Sequence, residues 1–183
     1  MSGWHIAPVA AWTACRDSLR WRSLEVFALS DEVAAARGKD VDLATSFSVI
    51  EHVVDSRAFL TDIAAMLKPQ GEVLISTLNH SDILMELLLD EYPSFFYRTV
   101  HRWYFNAASL EYCALAAGLE LVEIRVCHRF GLGNAMGWLR GRRPQAEVAL
   151  PFMDSSILDV AWRASLDAAG RGDYLYATFR QRA

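Results

Sequence analysis

The chain has 183 residues, 53% of them hydrophobic and 22% charged, with a formal net charge of −4. That length and composition support one globular domain with a sizeable core, and the acidic balance argues against general attraction to nucleic-acid phosphates or anionic lipid. Cys15, Cys113 and Cys127 lack the paired spacing of a zinc site or disulfide framework, and no apolar run reaches the roughly 18 residues that span a bilayer. The expectation is a cytoplasmic protein with reduced thiols and neither a nucleic-acid nor a membrane partner.

Residues 3–7, GWHIA, form a short apolar strand candidate, and Pro8 suits the first turn of a helix over VAAWTACRDSL. SLEVFAL, residues 23–29, reads as a strand, and SDEVAAARG as a short helix with a serine cap, early acids and a terminal glycine. VDLATSFSVI is β-rich and apolar on both faces, as a strand covered by helices on each side should be. Over residues 55–67, Phe59, Ile63, Met66 and Leu67 recur at helical spacing before KPQG ends the helix, and EVLISTL follows as a buried strand. The chain up to residue 78 thus reads β-α-β-α-β-α-β. Such alternation implies an α/β fold with a parallel sheet and right-handed crossovers.

Residues 79–105 break the alternation. They join one apolar helix candidate, SDILMELLLDEY, to the aromatic and basic FFYRTVHRWYF, and read as a lid-like insertion over the sheet. NAASLEYCALAAG is an N-capped helix ending at Gly118, and LELVEIRV is a strand. Residues 131–144 read as a glycine- and arginine-rich loop, residues 155–169 as a helix and DYLYATFRQ as a closing strand. With no internal repeat, low-complexity tract or clear linker in the sequence, residues 1–183 are taken as one domain carrying the insertion at 79–105.

Within residues 41–80, VDLATSFSVIEHVVDSRAFLTDIAAMLKPQGEVLISTLNH resembles the second half of a class I S-adenosylmethionine-dependent methyltransferase. The shared features are an aspartate-led strand, a Glu-His pair, a helix ending in Leu-Lys-Pro and a strand ending in Ser-Thr-x-Asn. Downstream, HRWYFNAASLEYCALAAGLELVEI is similar to the family's next block. The resemblance implies a three-layer Rossmann-like sheet, S-adenosylmethionine as cofactor and methyl transfer to an oxygen, nitrogen or carbon of a small-molecule or glycan-like acceptor.

The sequence also departs from the family. An acidic, glycine-rich turn normally follows the first strand and lets backbone N–H groups approach the cofactor. The only Gly-x-Gly pairs here are GLG at 131–133 and GRG at 170–172, and GWHIAPVAAW offers Ala7 and Pro8 where the family carries an acid. The chain is therefore expected to begin near the family's second strand, without the glycine-rich strand-turn-helix unit. The strand edges left by that omission would pair with each other, with a rearranged N-terminus, or with another chain, a second copy or a complementing one. The alternative function is a non-catalytic remnant, or a partner subunit of a split methyltransferase.

Candidate site residues follow from the resemblance. Glu51 and His52 fall at the carboxyl end of a strand, where open α/β sheets bind ligands. His52 is a candidate general base for a substrate hydroxyl, set against a reading in which Glu51 caps the next helix or pairs with an arginine and His52 is structural. Ser46, Phe47 and Ser48 lie where the family approaches the cofactor, and Ser30 and Asp31 where it contacts the adenine. A core position for Phe47 and a helix cap for Ser30 and Asp31 explain these as well. His80, Tyr97, His101, Arg102, Trp103 and Tyr104 either shape a substrate lid or form a satellite hydrophobic cluster, with His101 as second candidate base. Arg140, Arg142 and Arg143 either clamp an acidic substrate or sit in a solvated loop. His5 and His128 read as structural and no metal site is expected. No Gly-x-Ser-x-Gly elbow or phosphate-loop motif supports a hydrolase or nucleotidase.

Overall fold

A computed structural model describes residues 30–144, 153 and 155–182. The elements expected over residues 3–7, 8–19 and 23–29 lie outside the described residues. Those described comprise strands β1 Val41–Phe47, β2 Leu67–Leu78, β3 Leu119–Cys127 and β4 Tyr174–Gln181. The helices are α1 Ser30–Arg37, α2 Ser56–Met66, α3 Ile83–Leu87, α4 Tyr92–Phe96, α5 Ala107–Ala116, α6 Leu132–Gly141 and α7 Ser156–Ala168.

The strands form one sheet in the order β1-β2-β4-β3. β1 and β2 are parallel as expected, whereas the closing strand β4 runs antiparallel between β2 and β3. Leu78 and Cys127 both register with Tyr174. That register gathers the ends of β2 and β3 and the start of β4 at one edge, which the parallel β1 also reaches.

One face carries the main core. Val73 and Ile75 of β2 and Leu175, Ala177 and Phe179 of β4 pack against Leu60, Ile63 and Ala64 of α2 and Leu110 and Ala114 of α5. Phe179 is fully buried, a burial worth about 1.5–3 kcal/mol. The two helices are well started: Asp55 caps α2 by accepting from the Ala58 N–H at 2.9 Å, and Asn106 and Ser109 cap α5 reciprocally. α7 packs on β3 and on α6. Covering helices on both faces of β1 were expected, yet Leu43 and Phe47 are about half exposed.

The structure revises three further expectations. KPQG does not separate helix from strand, because β2 begins at Leu67 and contains it. Val41 registers with Leu67 but Leu43 with Glu72, so the extra β2 residues form a bulge in which Gln70 takes a φ of 71°. A Cβ on Gly71 would lie 2.7 Å from the Val41 carbonyl oxygen, so only glycine allows this approach. The apolar helix expected after residue 80 is broken into α3 and α4, with Asp82 capping the first and Pro93 in the opening turn of the second. The expected loop over 131–144 is largely helix α6, which buries Ala135, Gly137 and Trp138. Its first N–H groups are met from far along the chain, since Leu132 N–H donates to the Asp159 carboxylate at 2.8 Å.

Candidate active site

The backbone leaves β1 through Ser48, whose φ of 52° is uncommon for a residue with a side chain. Ser48 N–H donates to the Ser76 carbonyl at 3.0 Å and its hydroxyl hydrogen-bonds the Tyr174 phenol. A turn closed by His52 N–H on the Val49 carbonyl at 2.9 Å then sends Ile50 and Glu51 inward and leaves His52 exposed. Glu51 is 3% exposed, and its Oε2 accepts from the Thr77 hydroxyl of β2 at 2.9 Å. Glu51 does not cap the helix that follows; that role belongs to Asp55.

Residues 97–103, the end of the insertion, lie across this turn. The Glu51 carbonyl accepts from the N–H groups of Arg102 at 2.7 Å and Trp103 at 3.2 Å. Nδ1 of His52 lies 2.9 Å from the Val100 carbonyl oxygen, and the Trp103 indole N–H donates to the Val53 carbonyl at 2.9 Å. His101 meets His52 edge to face, with ring centroids 4.7 Å apart at 70°. Burial holds the His101 imidazole below its ordinary value, and His52 adds to the lowering. Glu51, His52 and His101 each place one ligating atom within 4.8 Å of the others. Two adjacent imidazoles beside a buried acid are groups that can accept and pass a proton.

The rest of the insertion builds a second apolar cluster. Leu84, Leu88, Tyr92 and Phe96 pack with Trp138 of α6, while Phe95, Tyr104 and Leu139 flank them. Its ends are tied by a bridge between Asn79 and Phe105, and His80 N–H donates to the Phe105 carbonyl at 2.7 Å. Nε2 of His80 lies 2.7 Å from the Tyr97 hydroxyl, and the Tyr104 hydroxyl accepts from Arg98 N–H at 2.6 Å.

The expected residues are thus brought together unevenly. Glu51, His52, His101 and Trp103 share one locus, with His80, Tyr97 and Tyr104 along the insertion beside it. Ser46, Phe47 and Ser48 sit at the end of β1; the Ser46 hydroxyl is buried with no hydrogen-bond partner among the described residues, and Phe47 is 54% exposed. Ser30 and Asp31 open α1, and Arg142 pairs with Glu91 at 3.4 Å.

Sequence reasoning missed a polar network along the same edge. Asn79 donates its side-chain amide to the carbonyls of Gly172 at 2.7 Å and Gly170 at 3.2 Å. Buried Asp173 accepts from the Arg129 backbone N–H at 2.8 Å and from its guanidinium, which stacks 4.1 Å over the Tyr174 ring. Buried Asp82 accepts from the Tyr92 hydroxyl at 2.5 Å. The available signal was positional: Asn79 directly follows a strand and Asp173 directly precedes one.

A carboxylate and two imidazoles gathered at the carboxyl edge of the parallel strands, beneath the aromatic residues 92–104, mark an open α/β fold whose strand ends are the candidate ligand edge. The family described as methyltransferase domain matches residues 4–124, and the chain belongs to that family. The chain is similar to a ubiquinone biosynthesis O-methyltransferase of Parvibaculum lavamentivorans, 36% identical over 102 residues that cover 51% of this chain and 39% of the relative. The matched segment therefore spans about two fifths of that relative's length. Among solved structures, a SAM-dependent methyltransferase from Thermotoga maritima shares the fold at a TM-score of 0.59 and 16% identity, covering 96% of this chain and 72% of that one. A Burkholderia thailandensis 1,6-didemethyltoxoflavin-N1-methyltransferase, solved with S-adenosylhomocysteine, superposes at 0.52 with 15% identity, covering 98% and 62%.

Proposed function

We propose that this chain takes part in S-adenosylmethionine-dependent methyl transfer to a hydroxyl oxygen of a small-molecule acceptor. The observation that carries the reading is the Glu51, His52 and His101 cluster at the carboxyl edge of the parallel strands, under the insertion. A hydroxyl nucleophile needs a base, which two adjacent imidazoles supply, and the similar P. lavamentivorans protein is an O-methyltransferase.

The described residues fit one side of the cofactor. The orphaned Ser46 hydroxyl, the half-exposed Phe47 ring and the left-handed turn at Ser48 offer a donor, a stacking face and a close backbone approach, and Ser30 and Asp31 are assigned to its adenine end. When bound, S-adenosylmethionine supplies an electrophilic sulfonium methyl. His52 takes the acceptor's hydroxyl proton, His101 adjoins it as a second basic ring, and buried Glu51 offsets the imidazolium charge that forms. The insertion over 79–105 excludes water and orients the acceptor, with His80, Tyr97, Trp103 and Tyr104 as its polar and aromatic lining.

Calorimetric titration with S-adenosylhomocysteine tests the reading. Micromolar binding supports it and justifies an acceptor screen among phenols and sugars. A folded sample that shows no heat at millimolar ligand points instead to a non-catalytic role or to a complementing chain.

A further inference from the structure

We propose that residues 97–103 act as a strap that sets the tautomer of His52, with Trp103 as the positioning residue that keeps the strap seated. The inference rests on the reading of His52 as the base. The Val100 carbonyl oxygen lies 2.9 Å from Nδ1 of His52. A carbonyl carries no hydrogen, so the ring must donate there, and in the neutral imidazole the lone pair is left at Nε2. The hydrogen bond therefore decides which nitrogen is free to take a proton.

Val100 does not anchor itself, since its side chain is 63% exposed. The carbonyl is held from both sides instead. His101 N–H closes a turn on the Arg98 carbonyl at 3.0 Å, and the Arg102 and Trp103 N–H groups converge on the Glu51 carbonyl. The indole of Trp103 reaches back to the Val53 carbonyl. Strap and turn thus grip each other at three consecutive residues, 51, 52 and 53. Of these contacts the indole hydrogen bond is the one that can be deleted while every backbone donor and acceptor and the His52 ring itself are kept. The His101 ring, edge to face with His52, limits how that imidazole can rotate.

The test is long-range proton–nitrogen NMR on protein labelled with nitrogen-15 histidine, at alkaline pH where the rings are neutral, with His52→Gln assigning the His52 signals. The expected wild-type spectrum shows a protonated Nδ1 and an unprotonated Nε2. Trp103→Phe keeps an aromatic ring but removes the donor; it is expected to mix the His52 tautomers and to lower kcat by about tenfold, short of the roughly 10²–10⁴-fold that general-base catalysis contributes, while KM for S-adenosylmethionine holds. A wild-type His52 protonated at Nε2 overturns the proposal, as does an unchanged tautomer in a folded Trp103→Phe protein. Should that variant not fold, the wild-type spectrum decides alone. A protein with Nδ1 protonated that binds no S-adenosylhomocysteine would leave the strap standing and remove the methyl-transfer reading.

Discussion

Thr77, near the end of β2, donates its hydroxyl to Oε2 of Glu51 at 2.9 Å, and both residues are buried. The contact spans 26 residues of sequence and fixes the acid beneath the imidazole pair. Thr77→Val keeps the shape and removes the donor, leaving a buried carboxylate oxygen unmet, at a cost of about 1–3 kcal/mol. Urea unfolding should show that loss, and Thr77→Ser should recover most of it.

His52→Ala removes the proposed base without touching the core, because the side chain is exposed. Methyl transfer to a hydroxyl acceptor should fall by about 10²–10⁴-fold, while affinity for S-adenosylhomocysteine stays within about twofold, since the base meets the acceptor and not the cofactor. Steady-state kinetics and calorimetry on one preparation separate the two effects.

The Tyr92 hydroxyl and Asp82 form a buried pair in which desolvation raises the Asp82 carboxyl above its ordinary 3.8 and the tyrosine hydrogen bond partly restrains it. A raised folded value means that the native state binds the extra proton, so stability is full below 3.8 and falls as pH rises through the folded value. Tyr92→Phe removes the restraining donor. It should cost about 1–3 kcal/mol at neutral pH and move the falling limb of the stability–pH curve upward, as measured by denaturant midpoints across that range.

Burial lowers the imidazole of His128 below 6.5, against the pull of Asp173, Asp82 and Asp167. A depressed folded value contributes stability that is present above 6.5 and is lost as pH falls through the folded value. His128 meets Phe130 and Trp162 edge to face, so His128→Phe keeps an aromatic ring there and deletes the titration. The difference in midpoint between variant and wild type should change with pH below about 6.5 and be flat above it.

Gly172 and Gly170 should respond differently to alanine. A Cβ on Gly172 would lie 2.6 Å from the Cys127 carbonyl carbon and 2.8 Å from the His128 nitrogen, both backbone atoms that cannot yield. Gly172→Ala is expected to cost at least about 1–3 kcal/mol through overpacking and to loosen Asn79, which bonds the Gly172 carbonyl. Gly170→Ala meets nothing within 4 Å and pays only for its φ of 71°, roughly 1 kcal/mol. Thermal unfolding of the two variants ranks them.

Much of the candidate cluster was legible because its signals are local. Glu51 and His52 are adjacent in sequence, they end a β-rich run, and the next helix announces itself through Asp55 and the spacing of Phe59, Ile63 and Met66. His101 and Trp103 stood out as imidazole and indole in an insertion. The polar network was not legible, because Asp82, Arg129, Asp173 and Tyr174 are ordinary residues until β4 enters the sheet antiparallel between β2 and β3 and brings them to one edge.

The sequence by itself determined α1, α2, α5, α7 and the four strands in their order, the family and the chemical groups offered at the end of β1, since periodicity, caps and adjacent motifs act over a few residues. Only the tertiary structure decided that residues 132–141 are helical, because the cap comes from Asp159 and the burial from an aromatic cluster on another segment. It alone also decided that Val100, Arg102 and Trp103 hold the turn carrying His52, because each contact joins groups some 50 residues apart through a backbone carbonyl, and a backbone group leaves no mark on residue identity.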